Sequence, residues 1–344
     1  MSIILFILIL SLIIVFHEFG HFLFAKLFGV HVYEFSLGMG KRLWFFKKGE
    51  TEYSIRLIPL GGYVSLAGES IEVDEKIPEE KRLQSKSVWQ RFLIMYAGPG
   101  FNFVLATFLL FISALMFGSY STKPIIGETK NNYPAYIAGV REGDLVLKIN
   151  DKKVNTWDDV MWEIQMNNGK EITFELKDIN NNVKTISVTP DKEEKDDQTT
   201  YVYGIGRGTN KDYGLIASLK YAYQKTGSTF KLMGNTIKSL FIGKVGVNEL
   251  SGPIGIYTVV DSQSKAGIEN VIYLIAFLSI NVGVINLIPF PAFDGGRILF
   301  LIIEKIKGKP VDAKLENTIH NIGFILLILL MVYVTFNDIF RLFK

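Results

Sequence analysis

The sequence predicts a polytopic α-helical membrane protein: four transmembrane helices, a small sheet beside the first of them and a β-rich domain outside the membrane. Three observations carry this. The 344 residues have a mean hydropathy of +0.25 although 21% of them are charged. Their apolar residues gather in four uncharged runs, at 2–16, 92–117, 271–293 and 321–337. Between the runs lie strand-length stretches in which apolar and polar residues alternate.

Crossing the hydrocarbon core takes about 20 mostly apolar residues. The second and third runs are long enough as they stand, and the fourth extends in both directions. The first reaches span length only by taking in His17, Glu18 and His21 and running on to Ala25. The expected spans are therefore 1–25, 92–117, 268–293 and 318–340. The start lacks a basic stretch, and the first run ends in HEFGH rather than at a small-residue cleavage site. It is expected to be retained as a helix and not removed as a signal peptide.

Loop charge sets the orientation. Residues 26–91 hold Lys26, Lys41, Arg42, Lys47, Lys48, Arg56, Lys76, Lys81, Arg82, Lys86 and Arg91. The short loop after the third span holds Arg297, Lys305, Lys307, Lys309 and Lys314. Basic residues near spans favour the cytoplasm, so both loops go inside, and both termini and the segment 118–270 go outside. Within 26–91, VHVYEFSLG, RLWFFKKG and TEYSIRLIPLGGYVSLAG predict a small sheet next to the end of the first helix, and 69–87 an exposed polar connection. Outside, IIGET, DLVLKIN, ITFELKD and KTISVTP predict strands of a small domain over 123–208. TWDDVMWEIQ predicts a helix capped by Thr156 with Asp159 three residues on. Residues 213–241, within a connecting segment 213–267, have helical periodicity with Lys220, Lys225, Lys231 and Lys238 on an apolar background. A helix lying on the membrane surface and one packed on another domain both fit.

Composition excludes several classes. With 37 basic and 34 acidic residues the net charge is +3, too small an excess for a general nucleic-acid binder. The absence of cysteine rules out disulfides, cysteine-ligated metal centres and cysteine nucleophiles.

His17-Glu18-Phe19-Gly20-His21 is an H-E-x-x-H motif. On a helix, positions i and i+4 share a face, so two imidazoles can grip one metal ion, with Glu18 placed to take a proton from a water. Left without a metal, two histidines and a glutamate in lipid would be costly. Catalytic zinc takes three protein ligands and leaves a fourth position to water. The third ligand candidates are His31, His320 and Asp294. Asp294 is the better one, because it ends an uncharged run at the inner end of the third span, at the depth of His17 and His21. The plain alternative for Asp294 is a turn residue before Gly295-Gly296, and for His31 an ordinary loop histidine. Pro289 and Pro291 cannot continue a regular helix, so the third span breaks there. Asn281 and Asn286 lie in or just before the break, where their amides can hydrogen-bond an extended peptide; contact between helices is the alternative.

These residues resemble the site-2 protease family of intramembrane zinc metalloproteases, and within it the bacterial regulator-of-sigma-E protease branch. HEFGH corresponds to the family's zinc motif. Residues 286–296, NxxPxPxxDGG, match its second signature, and IPLGGYV at 58–64 its membrane-associated β-hairpin. SGPIGI at 251–256 and FNDIFRL at 336–342 also look like family segments, and PAYIAGVREGDLVLKIN at 134–150 is similar to the core of a PDZ domain. The resemblance implies one Zn2+ per chain on His17, His21 and Asp294, with Glu18 as general base. It implies substrates that are single-span membrane proteins, such as anti-sigma factors already trimmed by another protease, or signal-peptide remnants. Place follows too: a bacterial cell membrane, the PDZ-like domain extracytoplasmic and the active site toward the cytoplasm, the lipid bilayer a partner and nucleic acid not. Gly61, Gly62, Tyr63, Asn281, Asn286, Pro289 and Pro291 are the substrate-binding candidates. The chain departs from the pattern in having one PDZ-like domain where some relatives carry two, and Phe293 where relatives often have Leu. A membrane-anchored PDZ scaffold without activity would leave HEFGH and DGG unexplained, and a metal transporter should show repeat symmetry.

Overall fold

The computed structural model describes residues 2–69, 75–195 and 198–342; part of the polar connection expected over 69–87 lies outside them. In chain order the elements are α1 (Ser2–Leu27), β1 (Val32–Lys48), β2 (Thr51–Leu66), α2 (Val88–Phe117), β3 (Ser119–Tyr120), β4 (Ile126–Thr129), α3 (Pro134–Ile137), β5 (Leu145–Ile149), β6 (Lys152–Lys153), α4 (Trp157–Met166), β7 (Ile172–Lys177), β8 (Val183–Val188), β9 (Asp191–Lys195), β10 (Gln198–Val202), β11 (Ile205–Arg207), β12 (Lys211–Asp212), α5 (Leu215–Phe241), α6 (Pro253–Ala266), α7 (Ile268–Leu287), α8 (Asp294–Lys307) and α9 (Ala313–Leu342). They form two compact units, one of residues 1–109 and 236–344, the other of 110–235.

Among the described residues, four helices are long and apolar enough to cross a membrane: α1, α2, α7 and α9. The chain is thus a multi-pass membrane protein. α2 starts at Val88, four residues before the uncharged run, because Ser87 and Gln90 close a capping box: the Ser87 N–H donates to Gln90 Oε1 (3.1 Å) and the Gln90 N–H to Ser87 Oγ (3.2 Å). Pro99 sits inside α2 and leaves the Met95 carbonyl without its i+4 donor. α7 ends at Leu287 rather than at the prolines. Ile288 precedes Pro289 and is held extended, with ψ 134°, so the helix stops one residue earlier. The connecting segment expected before the third span contains a further helix, α6, with Pro253 at its first turn.

Among the described residues, two apolar clusters lie in the first unit. Ile9 and Ile13 of α1 pack with Val260 of α6 and Val271 and Leu274 of α7. Ala25, Val30, Val32, Leu66, Leu83, Ile94, Met95 and Leu301 join the end of α1 to the sheet, α2 and α8. Ile94 is fully buried, and truncating it to Ala would cost ~2–5 kcal/mol. The β1–β2 sheet is more than a hairpin. Lys48 pairs with Thr51 across the turn at Gly49-Glu50, and pairing continues back to Arg42–Arg56. Residues 34–37 pair twice, with 62–65 in falling order and with 52–55 in rising order. They are therefore the interior of the sheet, and 62–65 are its edge.

The second unit has a four-stranded antiparallel sheet, β6-β5-β7-β8. Along β7 the residues alternate strictly, with Ile172, Phe174 and Leu176 buried, and α4 adds Trp157 and Val160 to the same core. The four expected strands and the α4 helix are all present; the β9–β10 hairpin is additional. Thr156 caps α4 and Asp159 closes the box. In α5, Lys225 donates to Asp158 (2.7 Å), Ser228 to Asp158 (2.5 Å) and Lys231 to Asp159 (2.6 Å). This part of α5 is packed on the unit by its polar face, while Ile216 and Tyr223 are exposed.

Candidate metal centre

α1 runs unbroken through HEFGH, so His17 and His21 stack one turn apart, their rings 4.8 Å between centroids. Asp294 is the first residue of α8. Gly295 and Gly296 let that helix start close under the break: a Cβ on either would meet the carbonyls of Leu287, Ile288 or Phe290 within 2.6 Å. The result is a triangle. His17 Nε2 lies 3.2 Å from Asp294 Oδ2, His21 Nε2 3.4 Å from the same oxygen, and the two Nε2 atoms 3.2 Å apart. A tetrahedral zinc with bonds of about 2.0–2.1 Å sets its ligand atoms about 3.3–3.4 Å apart. The donor set and its spacing fit the ion. Asp294 Oδ2 is buried and has no hydrogen-bond donor among the described residues, which suits an oxygen meant for a cation.

α2 supports both imidazoles. His21 Nδ1 lies 2.8 Å from the Ile94 carbonyl, which can only accept, so Nδ1 carries the proton and Nε2 keeps its lone pair. Gly98, one turn further, is needed because a Cβ there would sit 2.2 Å from His21 Nε2. One turn on again is Asn102, fully buried, its amide nitrogen 3.3 Å from His17 Nδ1 and its Oδ1 without a partner. An amide donor facing Nδ1 puts the ring proton on Nε2, the wrong side for a ligand. A half-turn of the amide brings Oδ1 to accept from Nδ1–H and frees Nε2. The Asn102 carbonyl accepts from Ser279 of α7 (2.9 Å), which fixes the residue between helices.

A cavity of about 390 Å³ opens on the triangle, lined by Ile14, His17, Glu18, His21, Tyr63, Val64, Leu66, Glu69, Met95, Val282, Asn286, Ala292, Phe293, Asp294 and Arg297. Glu18 thus shares the wall with the three ligand candidates. Of the seven substrate-binding candidates, Asn286 and Tyr63 line this cavity. Asn281 is in α7 with Oδ1 buried and unpartnered. Pro291 packs on α9, where a Cβ at Gly323 would meet it at 2.4 Å. Gly62 lies on the sheet edge beside Glu18, whose Cγ would be 3.5 Å from a Cβ there, and Gly61 faces Met39. The Tyr63 hydroxyl donates to Glu34 (2.6 Å); burial and that carboxylate push the phenol up to about 12, so it stays protonated. His31 is not at the triangle: it bonds Glu50 (3.0 Å). His320 accepts the Ala292 N–H (3.1 Å).

Residues 5–330 match peptidase family M50. The chain belongs to this family. It is 33% identical to the regulator of sigma-W protease RasP of Bacillus subtilis, over 99% of each chain. It is 33% identical to the zinc metalloprotease RasP of Bacillus licheniformis, again over 99% of each. It is 35% identical to a Clostridium acetobutylicum protein named for zinc metalloprotease activity, over 98% of this chain and 97% of that one. The M50 chain described here is therefore a zinc metalloendopeptidase of the site-2 type, an intramembrane protease with Zn2+ as its cofactor. Asn102 escaped sequence reasoning, and His320, read there as a third-ligand candidate, instead accepts the Ala292 N–H. Asn102 is one amide in a long apolar run, and only the Gly98-Pro99-Gly100 punctuation before it hints at a close helix approach.

Proposed function

We propose that this protease cleaves the membrane-spanning segments of single-span proteins, anti-sigma factors or signal-peptide remnants, at a zinc held by His17, His21 and Asp294. The observation that carries the proposal is the triangle of 3.2, 3.2 and 3.4 Å edges at the wall of a cavity that also presents Glu18. Zinc bound there supplies Lewis acidity, lowering the pKa of a water and polarising the scissile carbonyl. Glu18 takes the proton of the attacking water on its carboxylate and hands it to the leaving amide nitrogen. Ile94 and a turned Asn102 keep the ring protons on Nδ1. The name of the Bacillus subtilis relative, regulator of sigma-W protease, supports an anti-sigma factor as one substrate; in this reading another protease trims that substrate first.

A substrate helix must be unwound before its carbonyls are reachable. The edge formed by residues 62–65 suits the extended form, because among the described residues no strand pairs with its outer side and it runs beside Glu18. The Asn286 amide on the cavity wall offers a further partner for the freed backbone. In this reading the 123–208 domain acts as a PDZ-like filter outside the membrane, and the basic residues of the loops 26–91 and 294–317 support an active site toward the cytoplasm. The test is Asp294→Ala in the purified chain. Zinc content and cleavage of a single-span model substrate should fall together. Full zinc occupancy with continued cleavage would move the third ligand elsewhere.

A further inference from the structure

The loop between α7 and α8 carries an unusual residue. Six described non-glycine residues have positive φ, and five are Asn or Asp, which adopt that conformation readily. The sixth is Ala292, at φ +87°, two residues before Asp294. An alanine in the left-handed region persists only where its surroundings hold it. Within the loop the Phe290 N–H reaches Ile288 and the Phe293 N–H reaches Phe290. The Ala292 N–H instead goes outside the loop, to Nδ1 of His320 on α9 (3.1 Å). His320 is itself held. Its ring lies against Phe300 (5.6 Å), and one turn later Gly323 lets α9 close on Pro291. To accept at Nδ1 the neutral ring must carry its proton on Nε2. That atom is buried and has no hydrogen-bond partner among the described residues, with Glu316 4.0 Å away; the residue lines a second cavity of about 480 Å³.

We propose that His320 is a positioning residue for the metal centre: by accepting the Ala292 N–H it holds the left-handed turn that points Asp294 at His17 and His21. The inference rests on Asp294 being a zinc ligand. Were Ala292 to relax to negative φ, the chain entering α8 would rotate and carry the Asp294 carboxylate out of the triangle. His320 touches no ligand and would act only through the loop.

The test measures zinc affinity of the purified full chain by chelator competition, with cleavage as a second readout. His320→Asn keeps an acceptor near the Nδ1 position, whereas His320→Gln moves it toward Nε2. Gln should weaken zinc roughly 10- to 100-fold, as loss of a ligand's support does, and Asn should stay near the unaltered chain. Ala292→Gly makes the same φ accessible without help, so in its background the Gln penalty should largely vanish. Equal affinities for Asn and Gln, or a Gln penalty undiminished by Ala292→Gly, would overturn the proposal. If His320→Gln alone does not accumulate, the double variant is compared with Ala292→Gly: near-equal affinity is expected, and a tenfold loss overturns the inference. Asp294→Ala run alongside separates the two failures. Zinc retained there refutes the ligand set; zinc lost there, with Asn and Gln alike, refutes only the role of His320.

Discussion

At the scale of single residues the centre depends on which nitrogen of each imidazole carries the proton. The Ile94 carbonyl settles this for His21. For His17 the decision falls to Asn102, whose buried amide presents either a donor or an acceptor. Asn102→Ala should therefore weaken zinc by roughly 10- to 100-fold, and Asn102→Asp, an obligate acceptor when ionised, should keep most of the affinity. Chelator competition on the purified variants checks both. Equal loss for Ala and Asp would make Asn102 a packing residue. The proposed ligands were named from the sequence, since an H-E-x-x-H inside a membrane span asks for a metal and an Asp at the end of an uncharged run asks for a reason, and the structure brings the three side chains together. Their supports were not legible there. An Asn in an apolar run reads as helix contact, and His320 meets Ala292 only because the chain returns 28 residues later.

At the scale of elements, the end of α1 is tied to the sheet through Glu50 in the β1–β2 turn. Lys26 donates to Glu50 (2.7 Å) and His31 Nδ1 lies 3.0 Å from it. The Lys26 hydrogen bond outweighs partial burial and, with His31, holds the Glu50 carboxyl down at about 2. A depressed carboxylate contributes stability above its unfolded pKa and loses it as pH falls through the folded value. Glu50→Gln should thus destabilise at pH 7 by ~1 kcal/mol or less for a partly exposed pair. The gap from the unaltered chain should close as pH drops from about 4.5, the ordinary carboxyl range, to about 2. Thermal unfolding in detergent across that range checks it. A gap that stayed constant with pH would mean the effect is not the ion pair. The strands were legible from alternation and the break in the third span from its prolines. The double pairing of residues 34–37 was not, because alternation says which face a residue takes and not which strand lies beside it.

At the scale of the whole molecule, His17, Glu18, His21 and Asp294 all belong to the unit of residues 1–109 and 236–344. The other unit has its own core, built on Ile172, Phe174, Leu176 and Trp157, and its ends meet where Tyr120 pairs with Lys211. Replacing 121–210 by a short linker should leave zinc content unchanged and cleavage of a short single-span substrate measurable. Loss of zinc in a membrane-inserted deletion would show that the units are not separable. The most direct test of the metal-centre mechanism is Glu18→Gln in the purified, zinc-loaded protease, with metal content and turnover of one single-span substrate measured on the same sample. Zinc should remain at one per chain while cleavage falls by at least roughly 10²-fold, because the amide cannot take the water's proton. Near-normal cleavage with zinc in place would contradict the mechanism.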